Sequence, residues 1–513
     1  MDQHDKAVAV IAGSVRAFHQ QGKKFRIYHG STNSTRRLKR KRSEVVDTSG
    51  LTNVIKVDTE RRIVIVEPNV PLDKLVEATM AHNMIPPVVP EFPGITVGGA
   101  AVGTAGESSS FKYGFVDATI DRFQIVLANG DIVFASKEEN SELFGGIPSS
   151  FGTLGVITLI EMRLIPAKKY VALTYHPVES FSEVVTKTVE LSKDKNIDFL
   201  DNIIFSRTKT ALMTGVFTDN PDNRPIQRFS RARDQWFYIH AKRSLVSKGE
   251  PKTDIIPLAD YLFRYDRGGF WTGRLAFKYF IIAPFDRFSR FCLDWFMHTR
   301  VMYQALHESG MSNSYVIQDL ALPIHGAEEF LNWVDQELKI YPLWLCPLIQ
   351  RPTGVMSPRV PVPAQIEGES DSSISDNNKP EIMLNIGVWG AGPRDREKFI
   401  TINRKLERKV TDLGGIKWLY AQTYYTEDEF WEIYDRKAYG AIRTKYGAST
   451  MPTVYDKVKV DLEAERQARA QATKTQKVKN RLKEVWPVRG VYAVAKVVVA
   501  REYLLEKDKK KKA

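Results

Sequence analysis

Apolar residues recur at helical spacing from Val8 to Gln20 and the pattern stops just before Gly22. The next run, FRIYHG, reads as a strand that ends at Gly30, followed by the small, hydrogen-bonding residues Ser31-Thr32-Asn33-Ser34-Thr35. Val54 to Asp58 and Arg62 to Pro68 are β-rich runs around the charged turn Thr59-Glu60-Arg61, a hairpin pattern. Leu72 to His82 returns to helical spacing. Phe123 to Ala128 and Ile132 to Ala135 flank Asn129-Gly130-Asp131, whose Asn-Gly pair is a strong turn signal. Asn140 to Phe144 (NSELF) opens a short helix, and Phe151 to Ile157 returns to a strand through Gly152 and Gly155. From Tyr170 onward strands and helices alternate over longer, aromatic-rich spans. Gly368 to Pro380 is polar without apolar periodicity and reads as a disordered surface insertion. Beyond Val458 comes a charged helical pattern with few apolar anchors. The apolar run from Val488 to Leu505 then follows, broken by Arg489, Lys496 and Arg501; such a run suits an interface, not a bilayer span.

One stretch departs from all of these patterns. Between Ile85 and Phe115 the chain reads IPPVVPEFPGITVGGAAVGTAGESSSFKYGF, with almost no bulky side chain from Thr96 to Ser110. Glycine lets backbone approach a ligand because no Cβ intervenes, and successive free amides form an anion-binding concavity suited to a pyrophosphate. Thr104, Ser108, Ser109 and Ser110 add hydroxyls. A lone Gly-Gly would read as tight packing; this density points to a ligand loop. It is not a dinucleotide fingerprint, since no GxGxxG joins a strand to a helix.

Composition narrows the class. The 513 residues suffice for two or three domains, and 43% apolar with 26% charged residues is ordinary for a folded protein. Two cysteines, Cys292 and Cys346, imply no disulfide framework and favour a reducing compartment. The first twenty residues lack a cleavable apolar segment, and no run is long enough to cross a membrane as a helix. The net charge is +13, and from Asp456 onward 17 Lys/Arg face 8 Asp/Glu, so the tail carries most of the excess. RRLKRKR from Arg36 to Arg42 lacks interleaved aromatics and reads as a solvated segment whose first arginines are candidates for neutralising a phosphate. Nucleic-acid binding is not expected. Scattered histidines, distant cysteines and the absence of a GxSxG elbow or Walker loop exclude the common metal, serine-nucleophile and NTPase sites.

TVGG followed by GTAGESSSFKYG resembles the flavin-binding signature of the vanillyl-alcohol oxidase superfamily, the PCMH-type FAD-binding domain. Within it PxxPEFPGITVGG and the segments SYVIQDL, YPLWLCP and LYAQTY are most similar to the Δ24-sterol reductase (Diminuto-like) family. The resemblance runs from about residue 5 to residue 458. It implies an α+β fold: a two-lobed PCMH-type FAD domain over 1–168, a larger α+β substrate (cap) domain over 169–458, and a basic helical extension over 459–513.

The resemblance also implies cofactor contacts at Gly30, Ser31, Thr32, Asn33 and Ser34 in a first loop. In the second they fall at Thr96, Val97, Gly98, Gly99, Gly103, Thr104, Ala105, Gly106, Glu107, Ser108, Ser109, Ser110, Phe111, Lys112, Tyr113 and Gly114. Gly152, Thr153, Gly155 and Val156 follow in the GTLG element, with NSELF as a further contact of lower rank. Asn33 stands about where several superfamily members attach the flavin through histidine, so FAD is expected without a covalent bond. NADPH would reduce the flavin, which would pass hydride to a carbon–carbon double bond in the substrate's side chain, while a buried acid protonates the other carbon. Tyr420, Tyr424, Tyr425 and Glu429 are the candidates for that acid.

Two readings compete: a flavin alcohol or aldonolactone oxidase of the same superfamily, and a basic scaffold without catalysis. A sterol-like lipid is the expected partner, with peripheral contact to the endoplasmic reticulum membrane through the basic tail, or otherwise a cytoplasmic, intracellular place. The first twenty residues do not resemble the family's N-terminal membrane anchor, so attachment by that route is not expected. Arg264 to Phe296, rich in Phe and Trp, reads as cap core, as pocket lining or as a surface resting on a membrane.

Overall fold

The computed structural model describes residues 2–36, 40–245, 250–280, 283–309, 311–350, 354–356 and 382–473. The polar insertion at 368–380, the broken apolar run at 488–505 and the lysine-rich end lie outside the described residues, as does the centre of the basic run at 37–39.

The apolar periodicities become two sheets. Val54–Asp58, Ile63–Val66, Val156–Arg163, Ile120–Val126 and Ile132–Ser136 form an antiparallel five-stranded sheet, in that order. The helix Asp2–Gln20 covers one end with Val8, Ile11 and Val15, and the short parallel pair Arg26–Tyr28 and Val45–Asp47 leads into the first loop. The cap is an eight-stranded antiparallel sheet in the order Lys252–Pro257, Tyr170–Val178, Lys209–Thr218, Phe199–Ser206, Leu343–Ile349, Ile382–Ala391, Tyr315–Pro323, Ile416–Lys417. The α+β class follows from these two sheets and the helices packed on them.

Strand parity decides what the cap sheet presents to the first lobe. Val316, Leu320 and Leu322, with Leu343, Leu345, Leu384, Ile386 and Val388, pack under the helices Phe181–Leu191, Ile324–Trp333 and Arg396–Asp412. Side chains one residue out of step point the other way. The pairing aligns Asp319 with Gly387, Ala321 with Asn385, and Trp344 with Gly387, so Asp319, Trp344, Leu348, Asn385 and Trp389 share the opposite face. That face closes over the glycine-rich stretch.

The C-terminal segment returns to the first lobe. The helix Arg436–Lys445 lies on Ser141–Gly146, Arg443 donates to the Thr153 carbonyl at 2.8 Å, and Arg26 donates to the Asp456 carbonyl at 2.9 Å. Residues 459–473 are also docked: Val460 donates to Thr423, and the helix Leu462–Ala470 is held by the Arg396–Glu465 ion pair at 3.0 Å.

Candidate active site

A cleft of about 2040 Å³, its open mouth included, runs between the lobes. Of the residues the sequence singled out, Ser31, Thr32, Asn33, Ser34, Thr96, Gly98, Gly99, Gly103, Ala105, Gly106, Gly152, Gly155, Val156 and Tyr420 line it. Gly30, Val97, Thr104, Glu107, Ser108, Ser109, Ser110, Phe111, Lys112, Tyr113, Gly114 and Thr153 do not, and neither does NSELF. Nor do Tyr424, Tyr425 and Glu429.

The two loops differ in what their backbones offer. At the second loop Thr96 caps the helix Val97–Val102, accepting from Gly99 N–H. Gly98 donates to Pro68, Ala100 to Thr96, Gly103 to Gly99, Thr104 to Ala101 and Ala105 to Ala100. The run of free amides expected here is therefore absent, because the segment coils into a helix and spends its donors internally. Gly98 and Gly103 serve close packing instead. A Cβ on Gly98 would stand 2.7 Å from the Pro68 side chain, and one on Gly103 would stand 2.8 Å from the Gly99 carbonyl. In the first loop the Ser31, Thr32 and Asn33 amides find no acceptor among the described residues, and Gly30 takes φ +83°, which suits glycine. The Asn33 side-chain amide is also buried without a partner among the described residues.

The GESSSFKYG half of the motif is a rivet between lobes. Ser108 and Ser109 donate to the Glu107 carboxylate, Leu200 of the cap donates to the Ser108 carbonyl at 2.8 Å, and Lys112 pairs with Asp198 at 2.9 Å. Phe111 belongs to the cap's own core.

One end of the cleft is basic. Arg26, Arg36, Arg40 and Lys457 line it beside His29, and no carboxylate lies within ion-pair distance of these four cations among the described residues. Burial, then Arg26, lowers the Arg36 guanidinium to about 9, and burial, then Arg40, lowers Arg26 to about 10. Lys457 falls well below its ordinary value through burial and then Arg26, and His29 drops to about 4 through burial, then Lys457. A buried Arg36 and half-buried Arg26, Arg40 and Lys457, without a carboxylate in ion-pair reach among the described residues, beside open amides fit a pyrophosphate.

The other end is aromatic and acidic. Phe92, Phe270, Tyr303, Trp344, Trp389 and Trp418 form its walls, with Phe270 and Trp389 centred 5.2 Å apart. Two carboxyls reach it that the sequence reading did not mark as site residues, Glu91 and Asp319. Burial raises Asp319 to about 6 against the lowering contacts of Tyr420, Trp389 and Asn385, and its Oδ2 accepts from the Tyr420 hydroxyl at 2.6 Å. Burial, then Glu107, raises Glu91 well above the carboxylate range, and its Oε1 is unpartnered among the described residues. The available signal was parity: in Val316-Ile317-Gln318-Asp319-Leu320 an acid occupies a cleft-side position of an apolar strand. Gly387 leaves it room, since a Cβ there would come within 2.8 Å of Oδ1.

Tyr420 touches both ends. Its carbonyl accepts from Ser34 Oγ at 2.8 Å and from Thr35 N–H at 3.3 Å, while its hydroxyl holds Asp319. Burial, then Asp319, raises its phenol well above the ordinary value, so it stays a donor. Glu429 instead completes the capping box of Glu427–Ile433 and pairs with Arg404 at 2.8 Å. Tyr424 donates to Gln422 at 2.5 Å and accepts from Arg396 at 3.2 Å, away from the cleft. The Tyr455 hydroxyl donates to the Tyr425 carbonyl at 3.2 Å. The basic run divides: Arg36 is buried at the cleft rather than solvated, and Arg40 lines it. The described residues contain no cluster able to hold a metal.

Residues 6–136 match a family model described as an FAD binding domain. Over 468 residues the chain is 30% identical to the Delta(24)-sterol reductase of Macaca fascicularis, covering 89% of this chain and 86% of that protein. The human protein of the same name matches equally, over the same lengths. The Pisum sativum one is 33% identical over 460 residues, covering 84% and 79%. With an FAD cleft between a PCMH-type lobe and a cap, and likeness running through both, the chain belongs to the Delta(24)-sterol reductase family.

Proposed function

We propose that this protein is an FAD-dependent reductase that saturates the Δ24 double bond of a sterol at the expense of NADPH. The observation that carries the reading is the Asp319 carboxyl, raised by burial and aimed into an aromatic chamber. An unactivated alkene accepts hydride only if the second carbon takes a proton. When bound, FAD supplies that hydride after reduction by the nicotinamide.

The protein's own residues do the rest. The first-loop amides with Arg26, Arg36, Arg40 and Lys457 hold the pyrophosphate, and the Gly98–Gly106 backbone lets the cofactor lie close. Phe92, Phe270, Trp344 and Trp389 exclude water and bury the sterol's hydrocarbon. Asp319 holds the proton at Oδ1 and Tyr420 fixes the carboxyl through Oδ2. Between the two acids, Asp319 suits the task better: a value near 6 lets it give and regain a proton near neutrality, whereas Glu91 holds its proton too tightly. FAD is held without a covalent bond in this reading. The protein works at the surface of the endoplasmic reticulum, where its substrate resides, with the basic C-terminal end as one membrane contact.

Anaerobic titration tests the reading. NADPH should bleach the flavin, and a Δ24-unsaturated sterol should restore its colour with one equivalent of saturated product. Bleaching by a sugar alcohol or aldonolactone, with no response to NADPH, would favour the oxidase instead.

A further inference from the structure

Among the described residues the exposed phenylalanine and tryptophan side chains are Phe288, Phe291 and Trp295, at 75, 53 and 57% exposure, and all fall within eight consecutive positions. Phe288 and Phe291 stand at i and i+3 on the helix Arg287–Cys292, and Trp295 follows in the 3₁₀ turn Asp294–Met297. Beneath them the segment is anchored by Phe285, packed on Trp236 at 5.5 Å and on Phe277 at 5.2 Å. An aromatic layer this bulky, held outward by a packed base, costs solubility unless something covers it.

The surrounding charge indicates what does. Arg274 stands over Phe285 at 5.6 Å and Arg290 at 4.9 Å, and Arg243 of the neighbouring helix Phe237–Ser244 is close enough to depress Arg290 together with its burial. Arg287 and Arg243 are exposed. None of the four has a carboxylate within ion-pair distance among the described residues. The two local acids are committed: Asp286 caps its own helix on Ser289 N–H at 2.8 Å, and Asp294 pairs with Arg267 at 2.7 Å. Outward Phe and Trp ringed by uncompensated arginine is the chemistry of the bilayer interface, where rings sit at headgroup depth and guanidinium groups meet phosphates.

We infer that the face carrying Phe288, Phe291 and Trp295 rests on an anionic lipid bilayer. The same segment leads inward: Gly268 packs on Trp236, Phe270 two residues later lines the cleft, and Trp271 donates to the Trp389 carbonyl at 2.7 Å. Seating this face on a bilayer brings the aromatic end of the cleft toward the lipid phase. That purpose rests on the sterol reading; the binding itself does not.

The test is flotation of the full-length holoprotein with phosphatidylcholine vesicles, with and without phosphatidylserine. Wild type should float with the anionic vesicles, less so as salt rises. Phe288→Ser/Phe291→Ser should lower the bound fraction about tenfold or more with flavin content unchanged. Trp295→Gln, altered at a single exposed ring, should weaken binding in the same direction, which keeps the test decisive if the double variant folds poorly. Arg274→Glu/Arg287→Glu should abolish the preference for phosphatidylserine. Unchanged flotation of the variants, as a tail anchor alone would give, overturns the inference. So does a wild-type dimer that the double variant dissolves while vesicle binding persists, since the face would then meet a second copy. Loss of sterol turnover with flotation intact would count against the proposed function and leave this inference standing.

Discussion

The two ends of the cleft are built on opposite principles. The basic end gathers Arg26, Arg36, Arg40 and Lys457 with no carboxylate in ion-pair reach among the described residues, beside amides that find no acceptor there. Its charge is unbalanced as protein chemistry and demands an anion. The aromatic end is closely packed instead: Phe270 rests on Tyr265 at 4.1 Å and on Trp344 at 5.5 Å, and phenols hold its acids, Tyr420 on Asp319 at 2.6 Å and Tyr265 on Asp201 at 2.8 Å. Binding at the first end is therefore electrostatic, while the second offers shape, dryness and a proton. Tyr420 joins them, its carbonyl serving the phosphate loop and its hydroxyl the acid. A cofactor that spans the cleft meets each demand once.

The largest effect belongs to the aromatic end. Asp319→Asn should reduce sterol turnover roughly 10²–10⁴-fold, with flavin content and NADPH-driven bleaching unchanged, because only the proton transfer is lost. The acid form is the working form, and burial lifts Asp319 from 3.8 to about 6, so wild-type turnover should fall as pH rises through that region. In the variant that limb should vanish. Equal turnover would break the division of labour between the ends.

Next comes the glycine helix between them. Gly99→Val and Gly98→Val are adjacent and nearly identical chemically, yet should fail differently. A Cβ at Gly98 strikes Pro68, and overpacking of this kind costs about 1–3 kcal/mol, seen as a lower melting temperature. A Cβ at Gly99 meets only the Thr96 hydroxyl, at 3.0 Å, so the added bulk projects toward the cleft. That variant should melt near wild type and purify colourless. Full flavin occupancy in Gly99→Val would move the cofactor away from this helix.

The basic end should respond to a bare anion. Inorganic pyrophosphate at a hundred times its dissociation constant should raise the stability of wild-type apoprotein by about 2.7 kcal/mol. Arg36→Met removes one buried, depressed cation, so the apoprotein should be no less stable and should gain far less from pyrophosphate. A wild type indifferent to pyrophosphate would mean these cations serve packing alone.

What the sequence made legible follows the same division. The first loop, the glycine stretch and the GTLG turn are local motifs, and their residues come together at the cleft because each lies on one short segment. GESSSFKYG reads like the same motif but works as an interlobe rivet, since whether Ser108 meets a ligand or Glu107 depends on the cap's position. Asp319 and Glu91 were not marked out because their role comes from parity and burial contributed by distant strands. Glu429, beside the family-like LYAQTY segment, looks equally acidic in sequence, yet Thr426 three residues earlier fits a capping box and already signals a structural use. The aromatic stretch from Arg264 to Phe296 left three readings open, and its residues divide: Trp271 is core, Phe270 lines the cleft, and Phe288, Phe291 and Trp295 face outward.

The smallest expected effect separates the two ends by pH. His298 precedes the helix Thr299–Ser309, which carries Tyr303 into the aromatic wall. Its Nδ1 bonds Asp266 at 2.5 Å and its Nε2 faces Asp294 at 3.4 Å, and these two contacts, in that order, raise the imidazole to about 9 from an ordinary 6.5. A raised folded value means the charged ring stabilises the fold. That contribution is fully present below 6.5 and is lost as pH climbs through 9. Because the side chain is 34% exposed, water screens the pair and the loss should be only about 1 kcal/mol. At the basic end His29 sits near 4 and Arg36 near 9, so His29 is already neutral above 6.5 and the uncharging of Arg36 would relieve repulsion rather than remove support. Denaturant midpoints between pH 6.5 and 9 should therefore drift downward in wild type and flatten in His298→Gln. A drift that persists in His298→Gln would place the titrating support outside the aromatic end.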